Sequence, residues 1–108
     1  MVISKTKQYL KSYKKEILNK NLKQEMNRIE NIENLIINST NLQSLINSPY
    51  KNIYHIEQKQ GDLKEYYTAR VNSKIRLIMK PVGDYPYNKI EIEEIEFINI
   101  DSKHYGEG

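Results

Sequence analysis

The spacing of apolar side chains changes period once along the chain, near residue 52, and that change limits the folds open to it. Ahead of it, Thr6, Leu10, Tyr13 and Ile17 recur at helical spacing, with Tyr9 widening the stripe and lysines filling the other side. This predicts an amphipathic helix over residues 6–18. Asn19-Lys20-Asn21 interrupts the pattern, and Asn21 with Gln24 resembles a capping box, which predicts a second helix starting there. Its buried stripe would be Leu22, Met26, Ile29, Ile32 and Ile36, ending near Asn38-Ser39. So short a link makes the two helices antiparallel, and two one-sided helices need another layer to cover them.

Residues 39–52 are rich in Asn, Ser and Thr and read as a connection, with Leu42, Leu45 and Ile46 forming one helical turn. Beyond it the period falls to two. Ile53–Glu57, Tyr66–Val71, Ile75–Lys80 and Ile90–Ile100 are strand candidates, with turns at Gly61-Asp62 and Gly83-Asp84-Tyr85-Pro86. Helices followed by consecutive strands imply an α+β fold. The expectation is a short N-terminal edge strand at Val2-Ile3 and an antiparallel helical hairpin on one face of a mostly antiparallel four-stranded sheet. Residues 1–108 are expected to form one domain, without repeats or low-complexity tracts.

The central hairpin is the most informative segment. A two-residue turn would put Arg70 on one face with Ile75, Leu77 and Met79. A three-residue turn, Asn72-Ser73-Lys74, pairs Val71 with Ile75, Ala69 with Leu77 and Tyr67 with Met79, gathering the apolar side chains on one face. It also sets Arg70 opposite Arg76 on the other face, beside Thr68, Ile78 and Lys80. Like charges across a ladder destabilise it, so an anion is expected between them. In the last strand, Glu93-Glu94 shifts the alternation, which predicts a β-bulge near residue 93.

The absence of cysteine removes disulfides, thiol nucleophiles and thiolate metal sites, and only His55 and His104 are histidines. No apolar run approaches the roughly 18 residues of a membrane span. The polar opening shows no secretory leader, so a soluble cytoplasmic protein is expected. The net charge of +3 is unevenly spread, with a basic balance over residues 1–36 and 49–81 and an acidic one over 88–108. A polyanion would meet the first two segments. No phosphate loop, metal motif or nucleophile elbow is present.

What remains is dispersed. Arg70, Arg76, Lys59, Lys64 and Lys80 suit phosphates, Glu57 and His104 suit proton exchange, and Tyr105 suits stacking on a base. Together they fit phosphodiester chemistry on RNA, where a base deprotonates a 2′-hydroxyl and a cation stabilises the charged phosphorane. Each also has a plain structural role open to it: a solvated arginine, a surface glutamate unless Glu57 faces Arg76, a frayed terminal histidine. His55 reads as structural.

The order of elements, together with Glu57-Gln58-Lys59-Gln60-Gly61-Asp62-Leu63, Tyr67-Thr68-Ala69-Arg70-Val71-Asn72-Ser73-Lys74-Ile75-Arg76-Leu77-Ile78 and a terminal His104-Tyr105, resembles the RelE/ParE toxin superfamily. The resemblance implies a bacterial type II toxin that cleaves mRNA inside the ribosome, without a metal or other cofactor, using the RNA's own 2′-hydroxyl and leaving a cyclic phosphate. It implies a cognate antitoxin, the ribosome and mRNA as partners, and none in a membrane. Arg76 matches the family's phosphate-binding arginine, His104-Tyr105 its C-terminal pair for protons and stacking, and Glu57 its proposed general base. Lys59, Lys64 and Arg70 fit a basic strip more loosely. Two alternatives share the fold: a ParE-like inhibitor of DNA gyrase, and an inactive antitoxin-binding domain. The loop Pro81–Asn88 and the acidic stretch Glu91–Glu96 depart from the pattern of a compact member.

Overall fold

A computed structural model describes residues 1–102 of the chain. It contains β1 (Val2–Lys5), α1 (Lys7–Tyr13), α2 (Lys23–Ile37), α3 (Leu42–Asn47), β2 (Glu57–Gln58), β3 (Tyr67–Arg70), β4 (Arg76–Pro81) and β5 (Glu94–Asp101). The strands form one sheet in the order β1-β5-β4-β3-β2. The expected α+β architecture is therefore present, with five strands rather than four: β1 joins the sheet and runs parallel to β5, while the other pairs are antiparallel.

Apolar periodicity explains most of the packing. Ile29, Ile32 and Ile36 of α2 are buried, with Leu22 and Met26 against the same core. They meet the inner face of the sheet, where Ala69, Leu77, Met79, Ile95 and Phe97 are buried. Tyr9 of α1 packs edge-on against Phe97, their ring centroids 5.3 Å apart. The α1 stripe runs through Tyr9, Tyr13 and Ile17, whereas the predicted Leu10 is 53% exposed. The displacement follows from two features at the helix ends. Thr6 caps the N-terminus, its Oγ1 accepting from Tyr9 N–H at 2.9 Å. After Tyr13 the helix widens into a π turn over Lys14–Leu18, which rotates the following residues.

Three local expectations fail for identifiable reasons. Asn21 is not a cap: it adopts a left-handed turn with φ 55°, a conformation asparagine tolerates, and α2 starts at Lys23 without a side-chain cap. The capping box lies instead at α3, where Asn41 and Ser44 exchange side-chain bonds with each other's backbone. The segment Ile53–Glu57 is not a strand. Pro49 opens a 3₁₀ turn through Asn52, and His55 is exposed at φ 50°, so only Glu57 and Gln58 pair with β3.

The bulge falls at Ile98, not near residue 93. β5 begins at Glu94, and the register slips after Met79–Phe97 so that Ile78 pairs with Asn99. Phe97 and Ile100 thus both point into the core, leaving Ile98 and Asn99 on the other side. The start of α1 takes up the polar groups nearby: Thr6 N–H donates to Phe97 C=O at 3.1 Å, Thr6 Oγ1 donates to Ile98 C=O at 2.8 Å, and Ile100 N–H donates to Ser12 Oγ at 2.9 Å. At the far end of α2, the N-terminal ammonium of Met1 donates to the carbonyls of Ile36 and Ile37 at 3.0 and 3.1 Å, placing a cation at the negative end of that helix.

Candidate functional site

The β3–β4 hairpin has the predicted register. Val71 N–H donates to Ile75 C=O at 3.0 Å across the Asn72-Ser73-Lys74 turn. The Asn72 carboxamide holds that turn from inside, its Oδ1 accepting from Lys74 and Ile75 N–H at 2.8 Å each and its Nδ2 donating to Glu25 at 2.8 Å. Tyr67 then pairs with Met79, Ala69 with Leu77, and Arg70 with Arg76. The two arginines stand opposite each other on the face that the helices leave open.

Their backbones are firmly tied. Arg70 N–H donates to Tyr54 C=O at 2.7 Å, and Arg70 C=O accepts from Arg28 Nε at 2.7 Å. Arg28 also donates to Ile53 C=O at 2.7 Å and lies 5.0 Å over the Tyr54 ring. The side chains are less settled. Arg70 Nε is buried without a hydrogen-bond partner among the described residues. Arg76 Nη1 donates to Asn72 C=O at 2.9 Å, curling the guanidinium toward the turn, and Asp101 sits opposite Arg76 on β5. A buried donor with no acceptor is costly, and a ligand oxygen would satisfy it.

The other candidates fall into three groups. Lys80 shares the open face, opposite Glu96, with its Nζ 3.9 Å from Glu65. Lys59 follows β2, its N–H donating to Tyr66 C=O at 2.9 Å, next to the same face. Glu57 is exposed and pairs with Thr68, which pairs with Ile78, so it stands two strands from Arg76 and does not face it. Lys64 is turned away toward the loop after β4, its Nζ 5.7 Å from the centre of the Tyr85 ring. His104 and Tyr105 lie outside the described residues.

Burial, and then the nearby Glu65 carboxylate, push the Tyr87 phenol up to about 12. Burial raises Tyr9 and Tyr67 as well, so these three tyrosines stay protonated near neutrality and cannot serve as bases. Among the described residues no group of three His, Cys, Asp or Glu side chains gathers as a metal site, and no helix is long and apolar enough to cross a membrane.

Hollows lie at the β2 edge and on the open face. A cleft of about 450 Å³ opens at the β2 edge, lined by Lys51, His55, Glu57, Gln58 and Lys89 among others. A smaller one, about 260 Å³, lies on the sheet face itself around Ile78 and Ile98. Sequence reasoning missed this second hollow, although the spacing of Ile95, Phe97 and Ile100 carries its signature. It also missed Arg28, which no periodicity distinguishes from a solvated helix arginine.

No family model and no curated protein sequence matches the chain. Solved structures do. YafQ from E. coli strain BL21(DE3) superposes with a TM-score of 0.62 at 22% identity, over 98% of this chain and 97% of that one. The YoeB–YefM complex from Staphylococcus aureus gives 0.61 at 20% identity, over 94% of each chain. The YoeB/ParE toxin from Agrobacterium tumefaciens gives 0.60 at 14%, over 94% and 98%. The chain has the RelE/ParE toxin fold. A RelE/ParE-type sheet therefore carries the paired arginines on its open face.

Proposed function

We propose that this chain is the toxin of a type II toxin–antitoxin pair, acting in the cytoplasm as a ribosome-dependent endoribonuclease on mRNA. The observation that carries this reading is the Arg70–Arg76 pair, with a buried Nε–H of Arg70 that lacks an acceptor among the described residues. A phosphate oxygen would complete the Arg70 Nε–H. The fold supports it too: YafQ is crystallised with DinJ and YoeB with YefM as toxin–antitoxin complexes, and a cognate antitoxin is the partner proposed for this chain.

In the proposed reaction Glu57 or His104 takes the proton of an RNA 2′-hydroxyl, and the resulting oxyanion attacks the adjacent phosphorus. The P–O5′ bond breaks, giving a 2′,3′-cyclic phosphate, and the second of the two groups protonates the leaving 5′-oxygen. Arg76 stabilises the charge that builds on the phosphorane, Arg70 and the lysines Lys59 and Lys80 hold flanking phosphates, and Tyr105 stacks on a base. Lys64, turned toward Tyr85, contributes only if it leaves that ring. β5 ends opposite Arg76 at Asp101.

Primer-extension mapping of mRNA in a purified translation reaction tests the proposal. Wild-type protein should cut ribosome-bound mRNA, and Arg76→Ala should abolish the cuts while keeping the folded circular-dichroism spectrum. Cuts that persist in Arg76→Ala would remove Arg76 from the mechanism. Intact mRNA with normal translation would move the reading to a gyrase-directed or inactive antitoxin-binding domain. The two-strand separation of Glu57 from Arg76 favours those binding-only alternatives, and a supercoiling assay separates them.

A further inference from the structure

The hollow around Ile78 and Ile98 owes its existence to the bulge in β5. In an unbroken alternation one of Ile98 and Asn99 would point into the core. The slip turns both to the open face, and bulges recur beside functional sites because they re-aim side chains in this way. The three hydrogen bonds that link Thr6 and Ser12 with the Phe97–Ile100 stretch, two donated by Thr6 and one accepted by Ser12, then dock α1 at that point, which brings Gln8 to the rim. Leu63 and Tyr66 form another wall, set by a turn in which Tyr66 N–H donates to Leu63 C=O at 2.9 Å.

The result is an apolar floor with an aromatic wall, and with two carboxamides and the charged Lys59 and Asp101 at the edge. Ile78 lies two residues from Arg76 on the same face of β4, a separation of about 7 Å at the usual strand rise. That matches the step from a phosphate to the base of its own nucleotide. An unpaired base has the complementary character, with apolar faces for stacking and a hydrogen-bonding edge for amides.

We infer that this hollow is a nucleobase pocket: one base of the bound RNA sits over Ile78 and Ile98, stacks against Tyr66, and is read at its edge by Gln8 and Asn99. The inference rests on the RNA reading of the Arg70–Arg76 row and adds a specificity subsite to it. It gives Gln8, Tyr66 and Asn99 roles that the sequence did not suggest.

The test uses short RNAs with 2′-O-methyl groups, which cannot attack the phosphate, each carrying 2-aminopurine at one position. Protein is added in excess and fluorescence is followed. Wild-type protein should quench the probe at one position and not the others. Tyr66→Leu should abolish that quench and weaken binding about tenfold, the scale of one base on one aromatic ring. Asn99→Leu should retain binding but change which of the four bases competes best at the quenched position. Arg76→Ala should weaken binding at all positions alike and leave the saturated quench in place. If RNA binds in an Arg76-dependent manner but no position is quenched, or Tyr66→Leu quenches as well as wild type, the pocket is refuted while the phosphate row stands. If no RNA binds, the pocket and the RNA reading fall together.

Discussion

Arg28 is the side chain whose loss should most clearly expose how the arginine face is held. Its guanidinium donates to Arg70 C=O and Ile53 C=O at 2.7 Å each and stacks over Tyr54 at 5.0 Å, joining α2 to the start of the hairpin. Arg28→Met keeps most of the aliphatic stem and removes only the polar fork. The partly buried bond to Arg70 is worth about 1.5–2 kcal/mol as a charged-donor hydrogen bond. The exposed bond to Ile53 and the ring contact add about 0.5 kcal/mol each after solvent screening. The sum is about 2.5–3 kcal/mol. With a urea slope of about 1.5 kcal/mol/M, the unfolding midpoint should fall by about 1.5–2 M at constant slope. Arg28→Lys should recover less than half of this, because an ammonium cannot reach both carbonyls in one plane. A midpoint within about 0.5 M of wild type for Arg28→Met would refute the reasoning and reduce the fork to a surface contact.

Two further outcomes follow from the same contacts. Asn72→Ala removes the acceptor for Lys74 and Ile75 N–H and the donor to Glu25, and should destabilise the fold by about 1–2 kcal/mol in urea melts. An unchanged midpoint would show that the turn holds itself. The phenols of Tyr9 and Tyr87 are raised above their ordinary value of 10.0, chiefly by burial, Tyr87 to about 12. Such a group supports the fold fully below its unfolded value and loses that support as pH rises through the folded one. Stability should therefore fall between about pH 10 and 12, and less steeply in Tyr9→Phe/Tyr87→Phe. An equally steep fall in that double variant would assign the loss to other groups.

The hairpin was legible because one register alone collects Tyr67, Ala69, Val71, Ile75, Leu77 and Met79 on a single buried face, and Arg70 then follows opposite Arg76. The α2 stripe was legible for the same reason. Segments with weaker burial constraints were misread. Asn21 carries both a capping signal and a tolerance for positive φ, and the loop used the second. Ile53–Glu57 alternates like a strand, yet Pro49 starts a 3₁₀ turn whose geometry carries through to His55. The bulge was placed by its acidic pair when the apolar spacing of Phe97 and Ile100 marked it. Glu57 could not be set against Arg76 from the sequence, because that relation depends on how many strands lie between them.

The arginine face combines a rigid backbone with a buried Arg70 Nε–H that has no acceptor among the described residues, and the combination argues against a merely structural role. A solvated surface pair would need neither the 2.7 Å bond from Arg70 to Tyr54 nor the Arg28 fork beneath it. A pair selected for stability would not oppose two guanidiniums across a ladder, nor bury Arg70 Nε without an acceptor. The rule that buried donors are paired is broken at Arg70 Nε and obeyed at the backbone that carries it. That pattern is expected where a fold preorganises charge for a ligand supplied later. The bulge fits the same logic: it interrupts the ladder at Ile98, is held in place by Thr6 and Ser12, and opens its hollow two residues along β4 from Arg76. An anion beside Arg70 would give its buried Nε–H an acceptor, and a base in the hollow would cover the half-buried Ile78 and Ile98. One nucleotide can do both.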